Sequence, residues 1–134
     1  MSQENVAAVH KCVDALNRRH VDGYLACCTE QVQLIPATAP IEGSYTGRSG
    51  IRRFFADVAE IAPDFRLAIE RIEAAGHERV VCFERGRASG RSSGVSLDQG
   101  ISFGTVYDFA EGRIERIRVF TDREQALEAA GLRE

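Results

Sequence analysis

Apolar residues recur along the first part of the chain at three- and four-residue steps. Val6, Val9, Val13 and Leu16 form such a row, which predicts a helix over residues 3–19 with Ser2 as its cap. A short second helix is expected over 21–28, "VDGYLACC", and "VQLIP" reads as a strand that Pro36 ends. The helical spacing returns over 49–61, with Ser49 as the expected cap. Ile51, Phe54, Phe55, Val58 and Ile61 would form its apolar face.

After Pro63 the spacing shortens to two. Four strand-like runs follow: "FRLAIERIEAAG", "RVVCFERGRAS", "GISFGTVYDF" and "GRIERIRVF". "AEG" predicts a tight hairpin between the last two. "DREQALEAAGL" closes the chain as a helix, with Asp122 at its cap and Gly131 near its stop. Helices, then an antiparallel meander, then a helix define an α+β domain with helices packed on one face of the sheet. Gly86, Gly90, Gly94, Gly100 and Gly104 fall in or beside strands, where glycine marks bulges and bends. A strongly bent sheet under helices would leave a wedge-shaped cavity.

The chain has 134 residues, enough for one domain. No apolar run approaches a membrane span, and "MSQENVAAVH" has no basic region followed by an apolar stretch, which points to the cytoplasm. Net charge is −3 and the basic residues are scattered, which argues against nucleic acid as a partner. Cys12, Cys27, Cys28 and Cys82 match no metal spacing and sit among apolar residues, as buried thiols do. His10, His20 and His77 are far apart, so no metal is expected. No cofactor fingerprint is present either.

"GSYTGRS" (43–49) invites a phosphate-loop reading, but its details oppose it. Such a loop needs four residues between its glycines and then a lysine. Here three residues separate Gly43 from Gly47, and Arg48 follows. The stretch reads instead as a turn whose glycines permit unusual backbone angles.

The order of elements resembles the ketosteroid-isomerase and nuclear-transport-factor-2-like superfamily. More narrowly, the chain resembles its SnoaL-like, polyketide-cyclase-like members. The stretches that carry the likeness are "ALNRRHVDGYLACCTEQVQLIP", "YTGRSGIRRFF", "GRIERIRVFTD" and "REQALEAAGL". The resemblance implies a single domain over 1–134, with a cone-shaped, cystatin-like roll of mainly antiparallel sheet wrapped around the N-terminal helices. It also implies homodimers paired through the sheet.

The likeness does not carry the catalytic groups across. Where the isomerases place a tyrosine, a carboxylate base and a second acid, this chain has Cys12, Ile35 and Thr105. Epoxide hydrolases of this fold need an arginine flanked by two aspartates. Arg79 is available, but Val81 and Val119 stand where the aspartates belong. The cyclases use an acid near the end of the last strand, where Asp122 is expected to cap a helix instead.

Glu84 is the best candidate proton carrier, since it shares a strand face with Val80 and Cys82. Inside a pocket its pKa would rise. The competing reading pairs it with a neighbouring arginine or turns it to water. Tyr107 and Thr105 share a face with Ile101, Phe103 and Phe109, and Tyr107 is the second catalytic candidate. Tyr24 and Tyr45 are expected near the pocket mouth. Leu16, Ile35, Phe54, Phe55, Val58, Phe65, Phe103 and Val119 would supply its apolar lining. Arg85, Arg87 and Arg91 are expected on the outer face or loop, paired with Glu70, Glu73 or Glu115.

Two functions of different class follow. One is a binding domain whose apolar pocket holds a small hydrophobic molecule, which the missing acids favour. The other is an isomerase, cyclase or hydrolase acting on a polyketide- or steroid-like carbonyl compound, with Glu84 as base.

Overall fold

The computed structural model describes residues 2–37, 43–88 and 100–132. Helix α1 spans Ser2–Asn17 and α2 spans Val21–Ala26. Strand β1 (Cys28–Ile35) and the two-residue β2 (Tyr45–Thr46) lead into α3 (Gly47–Ile61). Then come β3 (Arg66–Ala74), β4 (Arg79–Arg87), β5 (Ile101–Ala110), β6 (Arg113–Phe120) and α4 (Arg123–Ala130). The six strands form one sheet in the order β2-β1-β6-β5-β4-β3. Every pair is antiparallel except β1 with β6, which run parallel because the chain leaves β1 through α3 and returns only at the end.

The inner face holds the main core. Val9, Cys12, Val13 and Leu16 of α1 and Tyr24 and Leu25 of α2 are buried there with Ile51 and Phe55 of α3. They pack against Val32, Leu34, Val80, Cys82, Tyr107, Phe109, Ile114 and Ile117 of the sheet. The period-three and period-four row of α1 is therefore its buried stripe, with Val6 half-buried at its start. Ile61 breaks the pattern predicted for α3. It is the last residue of the helix and is 65% exposed.

A smaller second core lies on the outer face, where Ala126 and Ala130 of α4 meet Val81, Phe83 and Val106. The expectation that all helices share one face is corrected here. Val81, Phe83 and Val106 alternate with the inward residues and are themselves apolar, so the outer face also needs a cover. Within the chain, α4 thus occupies part of the surface through which the resemblance implies pairing. Asp122 caps α4, accepting from Glu124 N–H at 2.8 Å and Gln125 N–H at 3.4 Å, and Gly131 ends it at φ 77°.

Several local expectations shift. α2 stops at Ala26, and Cys28 already belongs to β1. α3 starts at Gly47, so Thr46, not Ser49, is the cap, and it makes no side-chain cap bond. Gly43 and Gly47 do adopt positive φ, at 83° and 73°. The strand glycines mark close approach rather than bulges. Register shifts fall between Cys28 and Gln33, Ile69 and Arg71, and Asp108 and Phe109, all away from glycine. Gly90 and Gly94, like Arg91, lie outside the described residues.

The end of α1 grips the start of β3. Arg19 has φ 57°, and its N–H donates to the Leu16 carbonyl at 3.0 Å while His20 N–H donates to the Ala15 carbonyl at 2.8 Å. This is a helix-ending motif that normally uses glycine, and an arginine there costs about 1 kcal/mol. Its guanidinium offsets that by donating to the carbonyls of Leu16 (2.8 Å), Pro63 (3.0 Å) and Phe65 (2.7 Å). Asn17 does the same for the edge strand. Its amide donates to the Leu67 carbonyl at 2.8 Å and its oxygen accepts from Leu67 N–H at 2.8 Å.

Gly104 sets how closely α4 approaches. A methyl group built there would lie 2.6 Å from Ala126 Cβ. Gly104→Ala is expected to lower stability by about 1–3 kcal/mol through overpacking. Urea titration measures this, and an unchanged midpoint would contradict the packing described.

Candidate functional site

Glu84 lies on the inner face of β4 and is 2% exposed. Strand periodicity puts it there: Val80, Cys82 and Glu84 alternate with the outward Val81 and Phe83. Across the β4–β5 ladder Cys82 stands opposite Thr105 and Glu84 opposite Phe103. Thr105 and Tyr107 thus project inward beside the carboxyl. Thr105 Oγ1 donates to Glu84 Oε1 at 2.7 Å, and Tyr107 OH donates to Glu84 Oε2 at 2.9 Å. Both donors are buried. Glu84 therefore meets neither water nor an arginine, which excludes the competing reading of the sequence.

Burial pushes the Glu84 pKa up, and the hydrogen bonds from Thr105, Tyr107 and Cys82 oppose that rise without cancelling it. Burial also raises the Tyr107 hydroxyl, with the nearby Glu84 charge adding to it. The Cys82 thiol rises for the same two reasons. Deeper in the cone Tyr24 is raised by burial and by the thiols of Cys12 and Cys28. Cys28 Sγ also donates to the Tyr24 carbonyl at 3.3 Å. The cluster is a polar seam inside an apolar core, holding a carboxyl, two phenols and three thiols. Such a seam favours neutral groups over ions.

The expected lining residues fall into three sets. Leu16, Tyr24, Phe55, Thr105 and Tyr107 are buried around the seam. Tyr24 is thus deep in the core rather than at the mouth, because its ring packs edge-on to Phe55 with centroids 5.2 Å apart. Phe54, Phe65, Phe103 and Val119 are half-buried. Tyr45 is half-buried too, but its hydroxyl donates to Asp57 of α3 at 2.7 Å, with its ring 5.4 Å from Phe54. The third set is misplaced. Ile35 stands beside Arg118 on the outer side of the sheet, and Leu34 points inward in its stead. Val58 is half-buried outside both cores.

Around Glu84 the described side chains of α1, α2, α3 and the sheet pack together as the main core. The largest described hollow, about 580 Å³, lies at the rim between Asn17, Asp64, Arg66, Leu67, Arg85 and Arg87. Glu84 and Tyr107 border none of the described hollows. Among the described residues no cluster of histidine, cysteine and acid could hold a metal.

Charges on the outer face pair within and across the strands. Arg85 meets Glu70 at 2.9 Å and Arg71 meets Glu73 at 2.9 Å. Asp108 receives Arg79 at 2.6 Å, Arg116 at 3.0 Å and Arg118 at 3.1 Å. Burial works against its ionisation, yet the hydrogen bonds from Arg79 and Arg116 and the Arg118 charge together hold its pKa below the ordinary value. The residues that sequence reasoning missed are Leu34, Gly86 and the thiols of Cys12 and Cys28 as neighbours of the seam. Cys82 was legible, since it lies two positions before Glu84 on the same face.

A bent sheet closed on α1, α2 and α3, with its titratable groups inside, is the nuclear-transport-factor-2-like cone. Within that class the chain belongs to the SnoaL-like domain family, whose model matches residues 9–117. An NTF2-like protein of unknown function from Burkholderia pseudomallei is 22% identical with a TM-score of 0.77, covering 96% of this chain and 97% of that one. Bal32a, from a soil-derived mobile gene cassette, is 20% identical with a TM-score of 0.77 over 88% of each chain. TerC, co-crystallised with polyporic acid, is 22% identical with a TM-score of 0.71, covering 96% of this chain and 98% of that one. No curated protein matches the chain. Among the described residues no helix is long and apolar enough to cross a membrane.

The raised Glu84 pKa makes stability depend on pH with a definite sign. Unfolded, the group titrates near ~4.3. Above that pH the folded chain still holds a proton that the unfolded chain has lost. The Glu84 contribution is therefore full below the unfolded pKa and is lost as pH rises through the folded one. Its slope is at most about 1.4 kcal/mol per pH unit, the value for one whole proton. Glu84→Gln is expected to remove this decline. Unfolding free energies measured against pH for both proteins test it, and parallel curves would contradict the buried neutral acid.

Proposed function

We propose that this SnoaL-like domain acts on a small, largely apolar carbonyl compound and that Glu84 is the group that moves a proton on it. The observation that carries this reading is the Glu84 carboxyl, buried and hydrogen-bonded to Thr105 and Tyr107. Burial raises the Glu84 pKa, and a carboxyl with a raised pKa suits proton transfer to or from a substrate oxygen. When it gives up its proton, the Thr105 and Tyr107 hydroxyls are in place to hold the carboxylate that forms. The surrounding side chains are apolar, which suits a substrate with one polar end. That TerC was co-crystallised with polyporic acid supports a small-molecule ligand for this fold.

A second reading, binding without turnover, draws on a different observation. Leu34 occupies the inward position at the end of β1, and Val81 faces outward. Ile35, Val81, Thr105 and Val119 stand where relatives would need acids. In that case Glu84 would only anchor the polar end of a hydrophobic ligand.

Turnover separates the two readings. On a panel of polyketide-like and steroid ketones, the native chain should isomerise or cyclise at least one member. Glu84→Gln should lower that rate by about 10²–10⁴-fold, the usual worth of a general acid or base. Equal rates would remove Glu84 from the mechanism. Binding that survives in Glu84→Gln, with no turnover by either protein, would favour the second reading.

A further inference from the structure

Glu84 is 2% exposed and borders none of the described hollows, so a ligand needs a way in. The strands rank the inward side chains by depth. Along β4 the inward row is Val80, Cys82, Glu84 and Gly86, and along β5 it is Tyr107, Thr105 and Phe103. Phe103 stands level with Glu84, and Gly86 is one inward step further out, opposite Ile101. The Glu84 carboxyl leans the other way, toward Thr105 and Tyr107, so Gly86 and the Phe103 ring lie on its outer side. Phe65 joins them from the segment before β3. A methyl group built on Gly86 would lie 2.7 Å from Phe65 Cε1 and 2.9 Å from Phe103 Cε2. The two rings thus meet over the one position of that row that has no side chain. Both rings are half-buried, while Glu84 beneath them is nearly fully buried.

We propose that the Phe65–Phe103 ring pair is the entrance to the Glu84 centre, and that Arg19 is the residue that holds it closed. The inference rests on the reading of Glu84 as the functional centre. Arg19 bonds the carbonyls on either side of Asp64, at Pro63 and Phe65, and ties both to the end of α1. Asn17 fixes the next inward residue, Leu67, by both backbone groups. The Phe65 backbone is held on both sides, its carbonyl by Arg19 and its N–H by the Ala62 carbonyl at 2.9 Å, and the Arg19 clasp is the part of this hold that a single side chain supplies. A molecule that passes between two phenyl rings above a bare glycine is thin and apolar. It reaches Glu84 with its polar end leading. The geometry thus favours flat, ring-bearing carbonyl compounds over branched or charged ones.

The buried thiols report on this opening without any need for turnover. Cys82 lies in the layer below the rings, level with Thr105. Cys28 lies far deeper, level with Ile114 and Phe109. In a Cys27→Ser background, labelling by N-ethylmaleimide under native conditions is followed by peptide mass spectrometry. Phe65→Ala should raise the Cys82 rate by about tenfold while leaving Cys28 slow, as expected of local rather than global opening. Arg19→Gly should do the same. It keeps the left-handed backbone that the helix end requires and removes only the clasp. Phe120→Ala, in the outer core under α4, should leave the Cys82 rate unchanged. Equal acceleration of Cys82 and Cys28, or no acceleration of Cys82 in Arg19→Gly, would overturn the proposal. If the labelling behaves as stated but no ketone is turned over, the entrance stands and the catalytic reading falls.

Discussion

A carboxyl group taken out of water must find partners or lose its charge, and the inner face of this sheet is built around that requirement. Glu84 receives two hydroxyls that reach it only because β4 and β5 pair in one register. A slip of one residue would send Thr105 and Tyr107 to the outer face and leave the acid alone in an apolar core, at a cost of several kcal/mol. The same slip would turn Val106 inward and strip α4 of part of its seat. The polar seam and both apolar cores thus specify the same alignment, which is the agreement among levels expected of a well-determined fold.

Much of this was legible in the sequence, for a physical reason. Helical and strand periodicities are local, and they located α1, α3 and the four-strand meander within a few residues. The caps at Asp122 and Gly131 were legible because they rest on single side chains and single backbone angles. Facing was harder. Ile35 and Leu34 are adjacent and both apolar, so nothing in "VQLIP" says which one points inward. Only the parallel pairing of β1 with β6 decides it. Thr46 rather than Ser49 precedes the first helical turn, which begins at Gly47 directly after β2.

The candidate site was legible in its members but not in its depth. Glu84, Thr105 and Tyr107 could be put on inner faces by counting in twos. Their mutual hydrogen bonds depend on strand register, which crosses a connection that sequence patterns do not measure. The glycines show the same limit. Gly86 and Gly104 stood out as strand interruptions, and both turned out to be contact points. One admits the rings of Phe65 and Phe103, and the other admits Ala126. A missing side chain reads the same on either face until the neighbours are known.

The grip of Asn17 on Leu67 has a meaning beyond the ligand site. β3 is the last strand of the sheet, and its outer edge offers unpaired backbone groups of the kind that recruit strands from other molecules. The Asn17 amide satisfies one donor and one acceptor there, as a seventh strand would, without being one. The register shift between Ile69 and Arg71 breaks the straight run just beyond it, and Arg66, Glu70 and Arg71 stay exposed along the strand. The chain thereby discourages self-propagating sheet growth at its open border, using a side chain from the helix that also builds its core.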